Sequence, residues 1–155
     1  NPCPCGHLGD GSGRCRCTVE QVDRYRKRIS GPLLDRIDMH VEVPRQRPEL
    51  IHDHAQDAES SSRVAKRVAQ AIDSQYKRQG SRNHLLDVPG LEQHAQLDLN
   101  GQRLLQKASE QLRLSTRAYH RIIKVARTIA DLEGEEHICA PHLSEAIGYR
   151  RLDRS

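Results

Sequence analysis

The sequence holds no tryptophan and no phenylalanine, and its whole aromatic complement is four tyrosines. A core without large aromatics must be assembled from Leu, Ile, Val and Ala, which suits packed helices better than a β-sandwich. Methionine occurs once, and only 35% of the chain is hydrophobic against 30% charged. No stretch approaches the roughly 18 apolar residues needed to cross a bilayer. A charged-then-apolar leader of the secretory type is missing too, so the expectation is a soluble cytoplasmic protein with no membrane partner. Position 1 is Asn rather than Met, which leads us to expect a processed product or a piece cut from a longer chain. Charge of one sign is not in excess: 25 Lys and Arg stand against 21 Asp and Glu, a formal net charge of +4. Such a balance permits contact with nucleic acid without indicating it.

The familiar catalytic signatures are also missing. The chain has no G-x-x-x-x-G-K-S/T phosphate loop, no G-x-G-x-x-G, no H-E-x-x-H and no G-x-S-x-G. Its nine histidines are scattered and read mostly as solvated surface residues. No two of them have the spacing of a credible metal-binding or catalytic helix face.

What is present begins with "NPCPCGHLGDGSGRCRC", where Cys3, Cys5, Cys15 and Cys17 form two Cys-x-Cys pairs. Thiolates are good zinc ligands, and the Gly-rich middle permits the tight reversal that would bring the pairs together. Cys-x-Cys is less typical than Cys-x-x-Cys. An oxidised pair, or four reduced thiols on a flexible loop, therefore stay open beside a metal site, in which His7 could substitute as a ligand. Cys139 stands alone and reads as a small packed residue.

Residues 1–20 carry no period and read as a loop. Val19, Val22 and Tyr25 fall roughly on one face of a short helix, which Ser30-Gly31-Pro32 breaks, and Leu33 to Ile37 form a second apolar turn. Met39, Val41 and Val43 alternate with His40 and Glu42, the period of a half-buried strand ending at Pro44. A lone strand leaves its backbone groups unsatisfied, so it is either unformed or paired with sequence outside this chain. Residues 44–56 look like a linker.

From about residue 57 the pattern turns helical. Val64, Val68, Ile72 and Tyr76 recur at fourfold spacing, with Asp57 or one of Ser60, Ser61 and Ser62 as cap and Gly80 as stop. A short turn near Leu91 to Ala95 precedes a helix carrying Leu104, Leu105, Ala108 and Leu112, with Asn100 as its expected N-cap. Ser115 caps the longest periodic run, in which Ala118, Ile122, Val125, Ile129 and Leu132 share a face until Gly134. Pro141 suits the first turn of a last helix. The fold expected is mainly α: a small helical bundle, able to fold alone, over about 57–152.

Three arginines stand out. Arg36 sits in "LLDRID", a charge between apolar anchors; Arg117 lies in the first turn of the long helix and Arg121 one turn on. Like charges one turn apart are better placed near a carboxylate or phosphate. The bland reading is a solvated basic face, and periodicity alone favours it.

Taken together, "NPCPCG…GD…CRC", "YRKRISGPLLDRIDMHVEVP" and "LSTRAYHRIIKVARTIADLEG…HLSEAIGYR" resemble the C-terminal portion of magnesium-chelatase-like AAA+ ATPases of the ComM/YifB type. The resemblance runs in order over essentially the whole chain and is loosest from 45 to 90. It implies that Asn1 is a sensor-1 residue facing the γ-phosphate of ATP, that Arg36 is an arginine finger reaching the neighbouring subunit's nucleotide, and that Arg117 is sensor 2, with Arg121 a candidate accessory contact. Guanidinium groups suit such roles because they stabilise charge on a transferring phosphoryl group.

The resemblance further implies a division of the chain. Residues 1–50 would be the truncated end of an α/β ATPase core: sensor 1, a poorly ordered cysteine loop, the finger segment and one orphan strand, largely disordered in isolation. Residues 57–152 would be the lid domain. The parent would bind ATP and Mg²⁺, with a structural Zn²⁺ on Cys3, Cys5, Cys15 and Cys17, and would form a ring, expected to be a hexamer, acting on DNA as a helicase or branch-migration factor in transformation and recombination. The isolated chain, lacking the phosphate loop and the acidic Mg²⁺-binding motif, would not hydrolyse ATP. Two other readings remain: a zinc-knuckle and helical-bundle module binding nucleic acid, against which the absence of aromatics in the cysteine loop counts, and a magnesium-chelatase subunit.

Overall fold

The computed structural model describes residues 1–41, 43 and 59–150, and its chain divides into two compact units. Of the described residues, the first contains 1–34 and 43, the second 35–41 and 59–150. Among the described residues there are seven α-helices, one short 3₁₀ turn and no strand. None of these helices is long and apolar enough to cross a membrane.

In the first unit, the cysteine loop leads into α1 (Val19–Arg26) and the single turn α2 (Gly31–Leu34). A capping box starts α1: the Thr18 hydroxyl accepts from the Gln21 N–H while the Gln21 side chain accepts from the Thr18 N–H. Among its described residues only Cys3 and Val22 are buried hydrophobic residues.

The second unit holds α3 (Ser61–Gln79), the 3₁₀ turn Asn83–Leu85, α4 (Val88–His94), α5 (Leu99–Leu112), α6 (Thr116–Glu133) and α7 (Ala140–Gly148). Local signals set the boundaries. Ser60 accepts from the Arg63 N–H at the start of α3 and Gly80 closes it with φ of 71°. Ser115 accepts from the Ala118 N–H at the start of α6, and Gly134 closes that helix at φ 78°. The cap of α5 is Asp98 rather than the expected Asn100. Its carboxylate reaches the Gly101 N–H at 2.6 Å, and an aspartate two residues upstream of the asparagine caps equally well.

The middle of the bundle is α6, which buries Ala118, Ile122, Ile123, Ala126, Ile129 and Ala130 and packs most extensively on α7 and α3. Leu86, Leu91, Ala95, Leu105, Ile138, Leu143 and Ala146 complete one continuous aliphatic core. Gly101 lets α5 approach α7: a Cβ there would lie 2.9 Å from Leu143 Cδ1. The front half of α3, residues 61–70, is exposed throughout, so Val64 and Val68 do not enter the core that their period suggested.

The strand expected at 39–43 is not formed at the described positions 39–41 and 43. Its alternation is inverted: Met39 is 41% exposed and Val41 65%, while His40 between them is partly buried. Among the described residues there is no strand for it to pair with, and the His40 N–H donates instead to the Tyr149 carbonyl at 2.8 Å. The expected linker 44–56 and the alternative cap Asp57 lie outside the described residues.

Candidate functional site

The cysteine loop is drawn together by turns. Gly6 N–H donates to the Cys3 carbonyl at 3.1 Å and Asp10 N–H to the His7 carbonyl at 3.3 Å; Gly6, Gly9, Gly11 and Gly13 all take positive φ. Asp10 is the hub of the reversal. Its carboxylate accepts from the Ser12 N–H at 2.9 Å, lies 3.0 Å from His7 Nδ1 and faces Arg14. His7 is thus engaged with Asp10 and is not among the thiols.

This folding brings all four Sγ atoms within 4.8 Å of one another. Cys3 lies 3.3 Å from Cys5 and 3.8 Å from Cys15, and Cys5 lies 3.6 Å from Cys15. A tetrahedral Zn²⁺ with bonds near 2.3 Å separates its sulfurs by about 3.8 Å, so the arrangement fits such an ion. The thiols also differ electrically. Burial opposes ionisation of Cys3, but hydrogen bonds from Cys5, the Leu8 backbone and the other two thiols bring it down to about 6. A hydrogen bond to the Cys5 backbone favours the Cys17 thiolate, yet contact with the Cys5 thiol, desolvation and the remaining thiols push Cys17 up to about 12. Cys3 thus ionises readily while the Cys15 and Cys17 thiols are pushed up by their neighbours, as happens when thiols crowd together and a cation must displace their protons. Cys139 takes no part: it is exposed at the start of α7, contrary to its reading as a packed residue.

The arginines singled out from the sequence lie on the second unit. Arg36 is exposed in the segment before the bundle. Arg117 is exposed in the first turn of α6 and has no hydrogen bond or ion pair among the described residues. Its guanidinium and the N-terminal peptide dipoles of α6 give this end of the helix a positive field that suits an anion. Arg121 does not stand beside it in the same state, because its guanidinium pairs with Asp38. Asn1 is exposed, with its side-chain amide beside Gly6.

Sequence reading missed a buried polar cluster at the C-terminal end of α6. Asp131 accepts from Arg78 Nη1 at 2.6 Å, from Arg127 Nε at 3.1 Å and from Asn83 Nδ2 at 2.8 Å. Arg127 also donates to the Glu135 and Glu136 carbonyls, tying the end of α6 to the chain beyond it. Burial pushes the Arg127 guanidinium down from its ordinary value, and the adjacent Asp131 carboxylate pulls it back. The spacing of Arg127 and Asp131, one helical turn apart, was the signal available, but the same spacing describes any solvated pair.

Two family models match the chain. Residues 58–150 match the family described as magnesium chelatase, subunit ChlI C-terminal, and residues 1–51 match magnesium chelatase, subunit ChlI. The chain is 43% identical over 154 residues to the uncharacterized protein YifB of Salmonella typhimurium and 41% identical to the competence protein ComM of Haemophilus influenzae. Each alignment covers 99% of this chain and 30% of the relative, so the chain spans about a third of the length of the proteins it matches. The chain belongs to the magnesium-chelatase-like AAA+ family, of the ComM/YifB type.

Proposed function

We propose that this chain is the sensor and lid portion of an ATP-driven ring motor, acting in the cytoplasm on DNA as a helicase or branch-migration factor. The observation that carries the reading is Arg117: an exposed guanidinium with no partner among the described residues, at the start of an 18-residue helix and on the same unit as the exposed Arg36. In this reading Arg117 contacts the phosphates of ATP bound by the rest of the protein, and Arg36 reaches the nucleotide of a neighbouring copy. Both stabilise negative charge as the γ-phosphoryl group departs. Asn1, on the other unit, is read by itself as a sensor-1 residue toward the γ-phosphate of ATP. Mg²⁺, held by residues outside this chain, would neutralise the phosphate oxygens.

The cysteine quartet serves as a structural anchor. Cys3, Cys5, Cys15 and Cys17 hold Zn²⁺, which fixes the loop that follows Asn1 and supplies no reaction chemistry. The name of the Haemophilus influenzae relative, a competence protein, supports a role in handling incoming DNA.

The test uses the full-length protein. Arg36→Ala or Arg117→Ala is expected to lower ATP turnover by on the order of a hundredfold or more, with nucleotide binding retained. Unchanged turnover in both variants would refute the motor reading. Salt-dependent DNA binding by this chain alone, with turnover indifferent to both arginines, would favour a nucleic-acid-binding module instead.

A further inference from the structure

The segment 35–41 is fastened to the helical bundle on both sides of Arg36. Before it, the Asp35 carboxylate lies 3.7 Å from Arg150 Nη2; immediately after it, the Ile37 carbonyl accepts from Arg150 Nη1. Asp38 pairs with Arg121 on α6, and the His40 N–H donates to the Tyr149 carbonyl at 2.8 Å. Arg150, just past α7, is 1% exposed, so its charge is withdrawn from water and depends on these partners. Arg36 itself stays exposed between the fastened residues.

We infer that Arg121 and Arg150 are positioning residues that clasp residues 35–41 to the bundle and hold Arg36 in place, so that Arg36 and Arg117 travel as one body. Arg121 follows Arg117 by one turn of the same helix, so any movement of α6 at Arg117 is passed through Arg121 and Asp38 to the chain that carries Arg36. Arg150 holds the same segment from the end of a second helix, α7. In this arrangement Arg121 is spent on Asp38 and does not touch nucleotide. The clasp also accounts for the absence of a strand here: these backbone groups are bound to the end of α7 and to a buried guanidinium rather than to a sheet.

The consequence for turnover rests on the proposed roles of Arg36 and Arg117; the clasp itself does not, so two readouts separate them. The first is amide exchange in this chain. The His40 amide should exchange at least tenfold more slowly than an unstructured amide, and Asp35→Asn combined with Asp38→Asn should remove most of that protection while leaving α6 protected. Rapid exchange of His40 in the unaltered chain would overturn the inference whatever Arg36 does. Arg150→Ala is the more direct variant, but it empties a buried site and endangers the fold, hence the choice of the acidic partners.

The second readout is ATP turnover by the full-length protein. Arg121→Ala should lower kcat about tenfold with KM for ATP within about twofold, and the exchanged pair Asp38→Arg with Arg121→Asp should recover most of the loss. A rise in KM at constant kcat would place Arg121 on the nucleotide and overturn the inference. So would a folded exchanged pair as slow as Arg121→Ala. If Arg36→Ala leaves turnover intact while His40 remains protected, the finger reading fails and the clasp stands.

Discussion

The two units reach a defined conformation by different means. The helical unit buries a continuous set of aliphatic side chains, with α6 in contact on several sides, and its caps are satisfied by Ser, Asp and Gly at the positions where helices need them. Among its described residues the cysteine unit buries only two hydrophobic side chains, Val22 and Cys3. Thirty-odd residues cannot repay their conformational entropy with that little apolar area, and small units of this kind are ordinarily stapled by metal or disulfide. The contrast suggests that one region folds by excluding water and the other by gathering ligands.

Removing the metal is the strongest way to break that contrast. Zinc content of the purified chain should be one per molecule, falling towards zero in Cys3→Ser. Chelation should release amide protection across residues 3–17 while α6 keeps its own, since binding of a structural Zn²⁺ to thiolates supplies on the order of 10 kcal/mol or more. In that metal-free state the early expectation of a largely disordered N-terminal region would apply. Protection of the loop that survives chelation would show that it has a core of its own.

A smaller effect, confined to the helical unit, comes from its buried charges. Asp131→Ala strands Arg127 and Arg78 without their shared acceptor and should cost about 3–5 kcal/mol in urea unfolding, with zinc content unchanged. Gly101→Ala should cost less, about 1–3 kcal/mol, because the added methyl meets Leu143 Cδ1 at 2.9 Å and Asp98 Oδ1 at 3.0 Å. Loss of zinc in either variant would mean that the two units share stability rather than dividing it.

Much of the helical unit was legible from residue order. The period of Ala118, Ile122 and Ile129, the serine before it and the glycine after it are all local, and α6 has those bounds. The same logic misled at Val64 and Val68, where an apolar stripe has no neighbour among the described residues to bury it, and at Met39 to Val43, where alternation says nothing about whether a partner strand exists. For the cysteines, spacing gave the quartet but left two rival explanations standing beside a metal. The Asp10 hub and the Sγ separations are what make the four sulfurs a metal-sized cluster.

Sequence by itself determined the helices, their caps, the aliphatic core and the family, because hydrophobic period and capping act over a turn or two and motifs are strings. Which charges meet was decided only in three dimensions. Arg150 against Ile37, Arg121 against Asp38, and Arg78 against Asp131 join residues far apart in the chain. An arginine's reach is the same whether it ends in water or on a carboxylate, so no local pattern distinguishes the solvated Arg117 from the clasped Arg121 one turn later.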